Sequence, residues 1–211
     1  MPRNYGHRSG VKSVRAMVEV GVELGIDVMT FYTFSTENWK RPKSEVSSLM
    51  KLLVSTLRKE VKDLDKNNVR LETIGRVQDL PEKTRKEFEA AKKALSGNDG
   101  LRLVIAISYS GREELTRAIN QMLAEGVPEI DEKRISSYLD TADLPDPDLL
   151  IRTSGEKRLS NFLLWQMAYT ELYITNTYWP DFRRPQLLEA LVDYINRERR
   201  FGCISEQVAF T

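Results

Sequence analysis

The chain has a single cysteine, Cys203, so no disulfide can form within it. That suits a reducing compartment. Neither sign of charge is in excess, with 32 Lys+Arg against 31 Asp+Glu. Proteins that coat nucleic acid usually carry a strong basic surplus, so that class is disfavoured. No apolar run reaches the roughly 18 residues of a membrane-spanning helix. The opening stretch MPRNYGHRSG lacks the apolar region of a signal peptide. There is no Pro/Gly/Ser-rich linker, internal repeat or low-complexity tract. The 211 residues therefore read as one domain, 1–211, with a sizeable core.

What is present is an alternation of two periodicities. Val11, Val14, Val18 and Val22 with Met17 recur at helical spacing and predict a helix over 11–24, stopped by Gly25. Residues 28–34, VMTFYTF, form a β-prone apolar run and predict a buried strand. A second, longer helix follows over 46–64. Residues 69–74, 101–107, 149–151 and 172–175 predict further strands. Residues 81–96, 112–124, 131–139 and 185–200 predict further helices. Strands alternating with helices imply an α/β fold with a mainly parallel central sheet flanked by helices.

Ligands of such sheets collect beyond the carboxyl ends of the strands. Loops 35–42, 108–112 and 152–161 fall there, carrying Arg41, Arg112, and Arg152 with Arg158. Guanidinium groups bind phosphate oxygens bidentately and stay charged, so arginines on three such loops suggest a phosphate-bearing ligand. Any one of them alone would more readily be read as ordinary surface charge.

Two stretches carry a resemblance. Phe34-Ser-Thr-Glu-Asn-Trp-Lys-Arg-Pro42 followed by Glu45, and Arg152-Thr-Ser-Gly-Glu-Lys-Arg-Leu-Ser-Asn-Phe-Leu-Leu-Trp-Gln166, are similar to cis-prenyltransferases. That family includes the undecaprenyl and dehydrodolichyl diphosphate synthases. Tyr173, Trp179-Pro-Asp-Phe182 and Arg197-Glu-Arg-Arg-Phe-Gly202 extend the likeness, which runs from Arg3 to Gly202. It implies an enzyme that condenses isopentenyl diphosphate with an allylic diphosphate such as farnesyl diphosphate, with Mg²⁺. It further implies a homodimer, and peripheral membrane contact for release of a lipid product from a cytoplasmic protein.

The resemblance also assigns roles. Arg152, Arg158 and Ser160 grip the diphosphate of isopentenyl diphosphate, and Glu171 is the metal-linked carboxylate. Ser35, Asn38, Trp39 and Arg41 form a loop that closes over substrate, and Glu45 connects it to the long helix. Trp39 reads equally well as a packed aromatic, and Glu45 as a helix N-terminal charge. Arg3 and His7 lie near the allylic diphosphate, and Arg200 and Gly202 reach a diphosphate across a dimer interface. Tyr32, Leu49, Leu52, Leu53 and Leu101 are expected to line a tunnel for the growing hydrocarbon. Ordinary core packing is the default reading at that spacing.

Two departures bear on function. Ser108-Tyr-Ser-Gly-Arg112 replaces the usual Asn-Tyr-Gly-Gly-Arg. That form also occurs in plant-type members, which leaves both a bacterial and a plastid-bearing source open. The family opens with an apolar strand and a Met-Asp-Gly-Asn turn bearing a metal-binding aspartate, and the sequence starts just after the matching position. The alternative class is a non-catalytic partner subunit, but partner subunits tend to lose the residues matched by Arg152, Arg158, Ser160 and Glu171. The expectation is a chain with little activity of its own. With Mg²⁺, farnesyl diphosphate and labelled isopentenyl diphosphate, product should form far below the roughly 1 per second typical of enzymes; turnover at that rate would contradict it.

Overall fold

The computed structural model describes residues 3–198, and of residues 3–8 the backbone only. The elements run α1 (Arg3–Leu24), β1 (Val28–Ser35), α2 (Lys43–Lys66), β2 (Arg70–Ile74), α3 (Glu82–Ala94) and β3 (Arg102–Tyr109). They continue with α4 (Gly111–Ala124), α5 (Glu132–Tyr138), β4 (Leu149–Arg152), β5 (Glu171–Ile174) and α6 (Arg184–Ile195). All strand pairings are parallel, as the alternating pattern predicts. The sheet is divided, however, into a three-stranded part, β1-β3-β2, and a two-stranded part, β4-β5.

β3 is the centre of the larger part, and seven of its eight residues are buried. Its side chains alternate between two cores. Leu103, Ile105 and Ile107 meet Val46, Met50 and Leu57 of α2 with Phe88 and Ala91 of α3. Val104 and Ala106 meet Phe162 and Leu163 on the opposite face. A third cluster joins Met17 and Val20 of α1 to Phe182, to Leu187 of α6, and to Met29, Phe31 and Ile151. Helices cover one face of the three-stranded part, and the 159–167 segment with Leu144 and Leu150 covers the other.

Most elements lie where periodicity predicts them, and two do not. α1 begins at Arg3 rather than at residue 11. Its first turns lack an apolar stripe, and Gly10 packs against the Trp179 indole so closely that a Cβ would lie 3.1 Å from it. The last helix stops at Ile195 rather than residue 200. Arg197 instead turns inward, donating to the Glu171 carboxylate at 2.8 Å and to the Leu172 carbonyl at 3.1 Å.

A buried polar cluster fixes α4 to β3. Glu114 is 1% exposed and accepts from the Tyr109 hydroxyl (2.6 Å), the Gln166 amide (3.1 Å) and the Asp140 backbone N–H (3.0 Å). Burial raises the Glu114 carboxyl pKa above the ordinary range, although the Tyr109 and Gln166 hydrogen bonds pull it down. The folded chain therefore holds this proton more tightly than the unfolded chain. Its contribution to stability falls as pH rises from about 4.3, the unfolded value, through the raised folded value, and is flat above that. Comparing urea midpoints of the wild type and Glu114→Gln across that range should show a downward slope with pH that only the wild type has.

Candidate active site

The carboxyl ends of β1, β3 and β4 bring three loops together, and a few hydrogen bonds lock them. The Asn161 amide donates to Glu37 Oε1 at 2.8 Å, and its Oδ1 accepts from the Arg112 N–H at 3.0 Å. The Asn161 carbonyl accepts from the Gly111 N–H at 2.7 Å. Two amides at the start of α4 are thereby capped from the 152–161 loop. Thr36 Oγ1 lies 2.9 Å from Ser110 Oγ. The Tyr32 hydroxyl donates to the Tyr109 carbonyl at 3.0 Å, and its ring stacks on Phe162 at 4.5 Å. Burial, with the Glu37 charge nearby, pushes that hydroxyl well above its ordinary pKa, so it stays a donor.

The 152–161 loop and its exit hold an unusual backbone. Ser154, Ser160, Asn161 and Leu163 all have positive φ, at 66°, 54°, 60° and 41°. Each non-glycine residue in that region costs roughly 1–2 kcal/mol. Hydrogen bonds from the Ser154 N–H to Thr177 (2.9 Å) and the Gly155 N–H to Thr175 (2.8 Å) hold the loop to the segment after β5. Such strain persists where surrounding structure over-determines it, commonly at ligand sites.

Arg41, Arg152, Arg158 and Glu45 line one cavity of about 1280 Å³. Its deeper walls are largely apolar and include Tyr32, Leu49, Leu52 and Leu53. Arg41 pairs with Glu45 at 3.1 Å, and Arg158 pairs with Glu156. Arg152 is held more loosely. Its Nη2 lies 3.4 Å from Ser160 Oγ, and its buried Nε has no hydrogen-bond partner among the described residues. A buried N–H without a partner is costly, so a ligand oxygen at that atom would relieve a real penalty.

Other expected residues shape the loops rather than line the cavity. Asn38 Oδ1 accepts from the Ser35 N–H at 3.1 Å, closing the 3-10 turn Thr36–Lys40. Trp39 is packed edge-on to Phe34 at 4.9 Å and donates to Ser108 Oγ at 2.9 Å. Leu101 does not line the cavity; it is 4% exposed in the core under α2 and α3. Arg112 departs from the expected convergence. It faces a separate polar groove with Arg76 and Arg117, because its backbone is engaged by Asn161 while its side chain leaves the first turn of α4 outward. The side chains of Arg3 and His7, and all of Arg200 and Gly202, lie outside the described residues.

Glu171, expected as the metal-linked carboxylate, is placed apart from the arginines. It opens β5 opposite Leu149, whereas Arg152 closes β4. At about 3.3 Å per residue, the three-residue offset puts it roughly 10 Å along the sheet from the arginine end. Its carboxylate is bound by Arg197 at 2.8 Å. Among the described residues no three His, Cys, Asp or Glu side chains come together. Glu171 would offer Mg²⁺ one carboxylate, the rest of the ion's shell coming from phosphate oxygens and water.

Sequence reasoning missed the Asn161–Glu37 tie and the Glu114 cluster. Both loop residues stand inside the quoted motifs, but no periodicity links positions 124 apart.

Comparison with known proteins agrees with this geometry. The family model described as putative undecaprenyl diphosphate synthase matches residues 1–202. An isoprenyl transferase of Chlorobaculum tepidum is 51% identical, over 98% of this chain and 80% of its own length. A ditrans,polycis-undecaprenyl-diphosphate synthase of Aliivibrio fischeri, described as (2E,6E)-farnesyl-diphosphate specific, is 44% identical over 98% of this chain and 83% of its own. Among solved structures, lavandulyl diphosphate synthase from Lavandula x intermedia, in complex with dimethylallyl diphosphate, superposes with a TM-score of 0.91. It is 35% identical and the match covers 96% of this chain and 90% of that one. A probable undecaprenyl diphosphate synthase from Campylobacter jejuni gives a TM-score of 0.85 at 36% identity, covering 92% of each chain. With its parallel α/β fold, its arginine-rimmed apolar cavity and these matches over nearly its whole length, the chain belongs to the undecaprenyl diphosphate synthase family of cis-prenyltransferases.

Proposed function

We propose that the chain condenses isopentenyl diphosphate with an allylic diphosphate and extends a cis-polyprenyl diphosphate. The observation that carries this reading is the buried Arg152 Nε without a partner, at the rim of an apolar cavity that Arg41 and Arg158 also line. In the reaction the allylic C–O bond breaks and diphosphate leaves with the electron pair. The alkene of isopentenyl diphosphate forms the new C–C bond and a proton is lost from carbon. Arg152, Arg158 and Ser160 hold the isopentenyl diphosphate headgroup, since charge-assisted bidentate bonds suit phosphate oxygens. Holding it there aims the alkene down the cavity, an orientation effect. Tyr32, Leu49, Leu52 and Leu53 keep water from the growing chain. Ser35, Asn38 and Trp39 keep the adjoining turn in place, so that Arg41 and Glu45 face the same space.

The resemblance supports Arg3 and His7 acting at the allylic diphosphate, with Arg200 and Gly202 coming from a second copy. An apolar face supports the homodimer: Leu172 and Ile174 of β5 are 47% and 42% exposed, beside Val192 and Ile195 of α6 at 58% and 75%. No helix among the described residues is long and apolar enough to cross a membrane. Contact with a bilayer, where a long lipid product would go, is therefore assigned to the surface. Retention of Arg152, Arg158 and Ser160 favours an enzyme over a non-catalytic partner subunit. Because Glu171 is engaged by Arg197, turnover by these 211 residues alone is expected to be low.

Binding tests the reading without requiring turnover. Arg152→Gln should weaken isopentenyl diphosphate binding about 10–100-fold, the loss expected for a charged hydrogen bond. Calorimetry showing equal affinity would remove the headgroup assignment. Leu53→Trp should weaken farnesyl diphosphate several-fold and leave inorganic pyrophosphate unchanged; equal effects on both would show that the cavity does not take the hydrocarbon.

A further inference from the structure

We propose that Arg15 is a latch on a second mouth of the cavity, through which the tail of a long prenyl chain leaves between α1 and α2. The inference rests on the reading of the cavity as the hydrocarbon's site, and adds where a chain too long for it goes. The first mouth is the arginine rim at the carboxyl ends of the strands. The same cavity is also lined by Arg15 and Glu19 of α1, Glu60 and Asp63 of α2, and Asp27 just before β1. Arg15, Glu19, Asp27 and Asp63 are exposed, so the cavity meets solvent there as well. Glu60 lies well down α2 from the rim residue Glu45, about 22 Å along the axis at roughly 1.5 Å per residue.

Arg15 closes this mouth with two bonds. Its Nε donates to Glu60 Oε2 at 2.8 Å, and its Nη2 to Asp63 Oδ2 at 2.7 Å. Both reach across from α1 to α2. Behind them the two helices are not in full contact. Val14 of α1 and Leu49 and Leu53 of α2 are apolar, yet only half-buried. A tightly packed helix pair would bury such side chains in each other's grooves. Here they line the cavity instead, and the latch spans it from outside.

Charge makes the latch able to open. The residues lining this mouth include four carboxylates, Glu19, Asp27, Glu60 and Asp63, around the single guanidinium of Arg15. With Arg15 in place α1 and α2 are drawn together; with it released, the carboxylates on the two helices repel. The bonds are also weak ones. Arg15, Glu60 and Asp63 are 47%, 21% and 62% exposed, and exposed ion pairs contribute little singly and are screened by salt. A chain that overfills the cavity can therefore displace them. A farnesyl chain is shorter than the span from rim to latch and leaves it shut. An emerging tail needs a micelle or bilayer to enter, since hydrocarbon in water is unfavourable.

The test measures binding to the 211-residue chain, in one nonionic detergent throughout. The probes are farnesyl diphosphate and undecaprenyl diphosphate. Arg15→Gln should bind the long diphosphate about 3–10-fold more tightly than wild type, the gain from no longer breaking two exposed ion pairs. It should bind farnesyl diphosphate equally, and Arg15→Lys should return most of the difference. Raising salt from about 0.05 M to about 0.5 M should narrow the gap between wild type and Arg15→Gln, because screening loosens the wild-type latch. A photoreactive group at the far end of the long chain should label residues 11–19 and 60–67. Labelling at the arginine rim instead, or equal affinity of both proteins for the long chain, would overturn the proposal. So would a parallel loss of both ligands in Arg15→Gln, the mark of a tie that only holds the fold. If the wild type does not bind farnesyl diphosphate, the hydrocarbon reading fails and the latch with it. Normal farnesyl diphosphate binding without the other effects removes the latch alone.

Discussion

Asn161 holds together what the chain leaves far apart. Its side chain and carbonyl reach the turn after β1 and the start of α4, while its own backbone sits in a conformation that asparagine tolerates better than most residues. Without these bonds the three loops at the carboxyl ends of the strands would have no common reference. The parallel sheet puts them at the same end, but only such cross-links fix their spacing to within a hydrogen-bond length.

On that frame the chemistry divides by depth. The rim is cationic, and two of its three arginines are already ion-paired with carboxylates, which keeps it stable without ligand. Arg152 lacks such a partner, and its position at the end of β4 makes it the natural first contact for an anion. Beneath the rim the walls are apolar and aromatic. A ligand with a charged head and a hydrocarbon tail matches both halves; a nucleotide or a sugar phosphate would leave polar groups against leucine. The two demands are met by different elements, the rim by loops and the walls by α2 and β1, so each can vary without disturbing the other.

The fold was legible because its elements are strongly periodic. The strands and the middle helices lie within about two or three residues of the positions that apolar spacing predicts. The start of α1 was hidden because its first turns carry no apolar stripe in the sequence and include a glycine that approaches Trp179 closely. The end of α6 was hidden because Arg197 is pulled into an ion pair, which charge patterning along a helix cannot foresee. For the site, the motifs identified Arg41, Arg152 and Arg158, which do share a cavity. They could not show that Arg112 leaves in another direction, that Leu101 is simple core, or that Glu171 opens its strand at the far end from the arginines. Those are facts of direction and register, fixed only by pairing between distant segments.

The positive-φ run through Ser154, Ser160, Asn161 and Leu163 has a thermodynamic consequence. A segment held in so narrow a part of conformational space has already given up its freedom when the protein folds. An anion that docks there does not have to order it, so the entropic toll of recognition is charged to the native state rather than to the ligand. The loop is thus a stiff receptor whose selectivity rests on shape and charge, not on wrapping around whatever arrives.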